Sequence, residues 1–392
     1  MIHSSPFIVD LALIMITAAI TILLCKYLKQ PVVLGYLLAG FFVGPNFPLI
    51  PTVSEISSVD VWAEFGVIFL LFTLGFSFKI KTLLSVGSTS IIITLIKNLV
   101  MFSTGPIIAY LFNLTTLMGL FIGAIISLTS TIAVARSLED FNLTPNSFSS
   151  VVMGTLIVED VLTLLIILLI STLGTSETLS GLNLVFSFSF KFAFIGFVFI
   201  LSLYLPRLTT KINKLLSKEM TIITSLAFCL AIAMISAKVG LSPALGAFIA
   251  GMLLSETTES TSIIKLIMPI RDLFVAIFFI SVGMMIKPVV LIENWFLILI
   301  LSFVMIVIKG LSTAFASFLT NQNKHDSSMI GILLIPIGEF SFVIATLGIS
   351  LEVISQDLYS IAVTLSAISI LGTNYLIKYF PRFEKQLFES KN

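Results

Sequence analysis

The chain has 392 residues, of which 58% are apolar and only 10% charged, with a mean hydropathy of +1.16. Water-soluble proteins carry about 25% charged residues, so this composition cannot dress a soluble surface and reads as an integral membrane protein. A net charge of +1 without a basic patch excludes a nucleic-acid binder, and two cysteines exclude a disulfide scaffold. Cys25 and Cys229 both fall in apolar runs and read as inert buried thiols.

A helix needs about 20 apolar residues to cross a bilayer. Apolar runs between polar breaks give thirteen candidate spans: Pro6–Tyr27, Val32–Pro45, Val61–Phe78, Ser88–Phe112, Thr115–Arg136, Ser150–Leu173, Leu184–Leu205, Met220–Val239, Pro243–Ser255, Ile267–Ile286, Trp295–Leu319, Met329–Ile349 and Leu358–Tyr379. The second and ninth are short and carry internal glycines. The runs are continuous rather than alternating, which excludes a β-barrel. The N-terminus has no basic region ahead of its first apolar run, so no cleavable signal peptide is expected.

Lysine and arginine set orientation. With the N-terminus outside, cytoplasmic loops and tail collect sixteen of the 21 Lys and Arg, and the outer loops hold only Lys238 and Lys287. Lys97, Lys191 and Lys309 lie within spans. The expectation is an all-α polytopic protein of the cell (inner or plasma) membrane, N-terminus outside and C-terminus cytoplasmic.

The two halves of the sequence resemble each other. Leu34-Gly35-Tyr36-Leu37-Leu38-Ala39-Gly40 matches Leu245-Gly246-Ala247-Phe248-Ile249-Ala250-Gly251. Ile68-Phe69-Leu70-Leu71 with Gly75 matches Ile277-Phe278-Phe279-Ile280 with Gly283, Ile96-Lys97 matches Ile308-Lys309, and the run from Ile122 to Ile126 matches that from Ile330 to Leu334. The order is kept and the offset stays at 208 to 212 residues. That offset equals seven spans, an odd number, so the second copy is inverted relative to the first, as in many secondary transporters. The expected division is 1–183 for the first repeat, 184–219 for a linker helix and basic loop, 220–380 for the second repeat and 381–392 for a short cytoplasmic tail. A binding site belongs at the midplane, where the copies meet.

A charge at the bilayer centre costs at least about 2.5–3.5 kcal/mol. Asp10, Glu64, Lys191 and Glu293 lie toward span ends, where they can reach the interface. Glu159, Asp160, Lys97, Lys309 and Glu339 do not. Glu159 and Asp160 sit together near the middle of the sixth span, about 100° apart around the helix. Low dielectric and a neighbouring carboxylate both disfavour ionisation, so a proton and a small cation can compete for such a site. Both acids are candidate ligands of a transient monovalent cation. Lys309 is the natural counter-ion, with Glu159 or Asp160 as its partner. Lys97, its repeat mate, is expected to brace a helix with Glu339.

The fifth span carries Ser127, Thr129, Ser130 and Thr131, and the twelfth carries Pro336, Gly338 and Glu339. Ser127 falls opposite Ile335 and Ser130 opposite Gly338 in the repeat. Hydroxyl-rich and Pro/Gly-interrupted segments in matching positions point to broken helices that line a site, whose freed carbonyls can ligate Na⁺ or K⁺. The alternative is Ser and Thr bonded only to carbonyls of their own helix. An enzyme is not expected: the two histidines, His3 and His325, lie in a tail and a loop, and no phosphate-cradling loop or cofactor motif is present.

The motifs Gly35-Tyr36-Leu37-Leu38-Ala39-Gly40 with Gly44-Pro45, Ser127-Leu128-Thr129-Ser130-Thr131, Leu156-Ile157-Val158-Glu159-Asp160, Ala244 to Gly251, Phe278 to Met284 and Ile337-Gly338-Glu339-Phe340-Ser341-Phe342 follow one another along nearly the whole chain. Together they resemble the monovalent cation:proton antiporter-2 family, and within it the Kef-type proteins. The resemblance implies a homodimer with a dimerisation domain and a mobile core, and crossed broken helices at the fifth and twelfth spans. It implies that Asp160 binds ion and proton in turn, that Glu159 matches the residue before the family aspartate, and that Lys309 matches the core lysine. Relatives often carry Asn, Gln or Asp where Glu159 stands, so their charge stoichiometry does not transfer. Kef proteins usually continue into a nucleotide-binding domain, whereas this sequence ends about a dozen residues after Tyr379. Nucleotide gating within the chain is therefore not expected, which leaves room for a separate cytosolic regulatory subunit.

The expected function is exchange of Na⁺ or K⁺ for H⁺ by elevator-like alternating access, with Thr129, Ser130 and Thr131 completing the coordination by Asp160 and Glu159. If both acids lose protons to one cation, exchange is electrogenic. A gated cation conduit without proton coupling is the alternative; a carrier of organic anions is disfavoured by two acids in the site.

Overall fold

The computed structural model describes residues 6–28, 30–47, 51–77, 87–174, 217–239, 241–257 and 259–389. The seventh candidate span, 184–205, lies outside them. The described chain is helical: α1 Pro6–Tyr27, α2 Val32–Val43, α3 Ile56–Ser77, α4 Ser88–Leu111, α5 Thr116–Ser127, α6 Thr131–Asp140, α7 Ser147–Gly174, α8 Lys218–Lys238, α9 Pro243–Ser255 and α10 Ser260–Met284. There follow α11 Pro288–Glu293, α12 Trp295–Phe303, a π turn Val304–Lys309, α13 Gly310–Leu319, α14 Lys324–Leu333, α15 Glu339–Ser350 and α16 Gln356–Glu389.

Among the described residues, seven helical stretches are long and apolar enough to cross a membrane, and four shorter apolar helices accompany them. Their outward faces carry large apolar side chains, Leu23 at 67%, Leu99 at 69% and Leu311 at 66% exposure among them. Water would penalise such a surface; lipid does not. The fifth and twelfth candidate spans are each two half-helices, α5 with α6 and α14 with α15, and α3 and α10 start five and seven residues ahead of the expected bounds.

The chain forms two compact units. One draws on Met1–Val9, Ser54–Ser85 and Leu164–Ser281. Here glycines let backbones meet: Gly75 of α3 lies against the Phe248 carbonyl of α9, and Gly251 of α9 against the Phe72 carbonyl of α3. Gly66 seats Phe274 of α10, whose ring stacks on Trp62 at 5.3 Å between centroids. Gly66 and Phe274 are themselves 208 residues apart, so repeat mates touch each other.

The other unit draws on Asp10–Val53, Val86–Thr163 and Val282–Asn392. Gly283 lies against the Leu37 carbonyl of α2 and near Gly40, the counterpart of the Gly75 contact with Phe248 and Gly251. The repeat seen in sequence is thus a repeat of packing. Within this unit α4 meets α5 through Gly105, Gly119 and Gly123, and α13 meets α14 through Gly310 and Gly331. Ile93, Val134, Phe148, Val152 and Leu156 join Ala316, Leu333 and Leu334 in one apolar cluster around the broken helices.

Candidate functional site

The site is built where the two breaks cross. Helix α5 stops at Ser127, and residues Leu128-Thr129-Ser130 run extended before the Ser130 hydroxyl caps α6 by accepting the Ala133 N–H at 3.2 Å. Helix α14 stops at Leu333, and Pro336, which has no N–H to continue a helix, lies in the extended run that ends at Gly338. The runs pass antiparallel, with Thr129 opposite Ile337 and the Ser130 N–H donating to the Pro336 carbonyl at 2.9 Å. A Cβ on Gly338 would come within 2.8 Å of both Ser130 Cα and the Thr129 carbonyl, so the crossing needs glycine there. Repeat mates again meet, Thr129 with Ile337 and Ser130 with Gly338.

A broken helix frees carbonyls and N–H groups that must be paired when buried. Lys97 of α4 and Lys309 of the π turn are both fully buried and perform that task. The Lys97 ammonium donates to the Ser127 carbonyl at 2.8 Å, to Thr129 Oγ1 at 3.0 Å and to the Glu159 carboxylate. Lys309 donates to the Leu128 and Ile335 carbonyls, each at 3.1 Å. Cations at helix C-termini also meet the negative end of the helix dipole. Thr129 Oγ1 donates to the Leu334 carbonyl at 3.1 Å, and Ser341 Oγ to that of Ile125 at 2.7 Å. On the donor side, the Thr129 N–H reaches Glu159 Oε2 and the Ile337 N–H reaches Ser369 Oγ, both at 3.0 Å. Ser366 Oγ donates to the Ile337 carbonyl at 3.2 Å.

The acid that holds an ammonium in a salt bridge at the crossing is Glu159, and its partner is Lys97 rather than Lys309. Lys97 thus has an acid in Glu159; the expected pairing of Lys97 with Glu339 falls on a side chain outside the described ones. The physical reason is that Lys97 and Glu159 face each other across the end of α5. Glu159 is 2% exposed, whereas its neighbour Asp160 is half-buried. Thr131, at the start of α6, has a hydroxyl oxygen shielded from solvent and without a hydrogen-bond partner among the described residues. The crossing thus gathers Glu159, Thr129, Ser130, Lys97, Lys309, Pro336 and Gly338 directly, with Asp160 and Thr131 one residue on from Glu159 and Ser130. Sequence reasoning missed Ser341, Ser366 and Ser369. The signal available for the last two was a buried hydroxyl pair three residues apart, 210 residues after Glu159 for Ser369.

Comparison with known proteins agrees with this architecture. The family model described as "Sodium/hydrogen exchanger, transmembrane" matches residues 13–378. K(+) efflux antiporter 5 of Arabidopsis thaliana is 33% identical over 386 residues, covering 95% of this chain and 66% of the relative. The K(+)/H(+) antiporter subunit KhtU of Bacillus subtilis is 29% identical, covering 88% of this chain and 86% of the relative. The chain spans 66% and 63% of the length of K(+) efflux antiporters 5 and 4 of Arabidopsis thaliana, less than two thirds of each. The sodium proton antiporter MjNhaP1 of Methanocaldococcus jannaschii shares the fold, with a TM-score of 0.68 at 17% identity over 95% of this chain and 96% of that one. The chain therefore belongs to the sodium/hydrogen exchanger family, on the monovalent cation:proton antiporter-2 side that its motifs indicate.

Proposed function

We propose that this protein exchanges a monovalent cation for protons across a membrane. The observation that carries this reading is a half-buried carboxylate, Asp160, beside a crossing of two broken helices whose carbonyls are held by two buried lysines. A carboxylate among oxygen-rich backbone can take a proton or a hard cation, and only one at a time. Asp160 is the exchanging group, and the Thr131 hydroxyl and the extended backbone at Thr129 and Ser130 supply further oxygen. Lys309 compensates charge when Asp160 carries neither proton nor cation. Glu159, by contrast, fixes Thr129 in place.

Alternating access in this reading is elevator-like, in a homodimer of thirteen-span subunits with the N-terminus outside and the C-terminus in the cytoplasm. The glycine contacts that recur at the repeat offset support the inverted-repeat architecture this movement needs. The names of the Arabidopsis and Bacillus relatives support K⁺ as the first cation to test, and the subunit status of the latter supports a separate regulatory partner. A transporter, not an enzyme, is the activity the site suits. The test is purified protein in sealed liposomes with an internal pH dye. Addition of K⁺, Na⁺ or Li⁺ outside should move protons with at least one of them; no proton movement with any cation would contradict the proposal.

A further inference from the structure

Lys97 is the group that exchange at Asp160 leaves over. Its ammonium is fully buried, and its three donors meet a carbonyl (Ser127), a hydroxyl (Thr129) and a carboxylate (Glu159). Oxygen ligands of these kinds are what a monovalent cation collects when it gives up water. Glu159 Oε2 is taken by the Thr129 N–H. Both carboxylate oxygens are thus engaged, at a residue 2% exposed. The second copy reads the same way in reverse: Lys309 holds Ile335, the counterpart of Ser127, but Ser369 stands where Glu159 would be. Among the described side chains at the two breaks, the first copy alone seats an ammonium on a carboxylate.

We propose that Lys97 is a tethered cation that permanently fills the Glu159 half of the acid pair, so that Asp160 alone exchanges and the protein moves one proton per monovalent cation without net charge. This rests on the exchange reading above. In each half-cycle a protonated Asp160 carboxyl releases H⁺ as one cation takes its place, and the reverse step restores the acid. Lys309 donates to the Leu128 and Ile335 carbonyls, which take no part in the exchange of proton for cation at Asp160.

The test uses the full chain in sealed liposomes, followed by pH dye and, on a solid-supported membrane, by charge displacement. The expected result is cation-driven proton movement with no sustained current, at a rate indifferent to a potential clamped with lipophilic ions. A current that scales with the proton signal overturns the inference while leaving exchange intact. Silence in both channels contradicts the exchange reading itself and the inference with it. A second arm replaces the pair by neutral side chains of similar size, Lys97→Met with Glu159→Gln. Glu159→Gln alone should slow exchange by about tenfold or more, because it leaves the Lys97 charge buried and unpaired, and the double variant should restore most of that loss. Loss of exchange in the double variant as complete as in Asp160→Asn would make Glu159 an exchanging group and refute the proposal. Should the double variant not fold, the electrical measurement on the parent protein decides alone.

Discussion

The two breaks solve the same problem with different chemistry. At the first, the extended Thr129 N–H is taken by a carboxylate, Glu159, and the helix end by the lysine that this carboxylate holds. At the second, the equivalent Ile337 N–H is taken by a hydroxyl, Ser369, and the helix end by Lys309. One break thus carries an internal ion pair and the other an ammonium on carbonyls. The backbone geometry is shared, and among the described side chains the carboxylate is not. In the proposed exchange the repeat supplies the crossing, and the Glu159–Asp160 pair of the first copy supplies the chemistry.

The comparison is broken most severely by removing one member of the ion pair. Lys97→Met or Glu159→Gln alone leaves a buried charge unpaired and should cost about 3–5 kcal/mol, read as a lower unfolding temperature in detergent. The double variant should recover most of that loss; equal destabilisation by all three variants would show that the pair is not a unit. In the other copy, Ser369→Ala orphans the Ile337 N–H and should cost about 1–3 kcal/mol, less than either charge removal in the same thermal assay. Making the copies alike at the crossing, Gly338→Ser, forces a Cβ toward Ser130 and Thr129 and should cost about 1–3 kcal/mol as well. An unchanged unfolding temperature would mean that the crossing is looser than its 2.8 Å approach indicates. The smallest effect belongs to an ion pair outside the crossing. Arg136 and Asp140 are 44% and 46% exposed, and Arg136→Ala should shift stability by no more than about 0.5 kcal/mol.

Much of the crossing was legible in the chain because its causes are local. Pro336 lacks an N–H and Gly338 lacks a Cβ, so a break between Leu333 and Glu339 follows from covalent chemistry. The hydroxyl run from Ser127 to Thr131 marks the other break for a related reason, competition of side chains for backbone groups. The helix bounds were less legible: α16 runs from Gln356 to Glu389, well past Tyr379, where the apolar run that marks the span ends. The partner of Glu159 was not legible at all. Lys97 and Lys309 are each mid-span lysines, and only the packing of α4 on α5 brings the nearer one to the acid. Ser366 and Ser369 were hidden because a hydroxyl in an apolar helix usually bonds its own preceding turn, as Thr364 does to the Ser360 carbonyl at 2.9 Å.

The most direct test of the central claim compares the parent protein with Asp160→Asn in the same sealed liposomes, with internal pH followed as K⁺ or Na⁺ is added outside. The substitution keeps the shape of the side chain and removes its exchangeable charge. Proton movement is expected in the parent and none in Asp160→Asn at equal incorporation. Full proton movement in the variant would contradict the assignment of Asp160 as the group that carries ion and proton in turn.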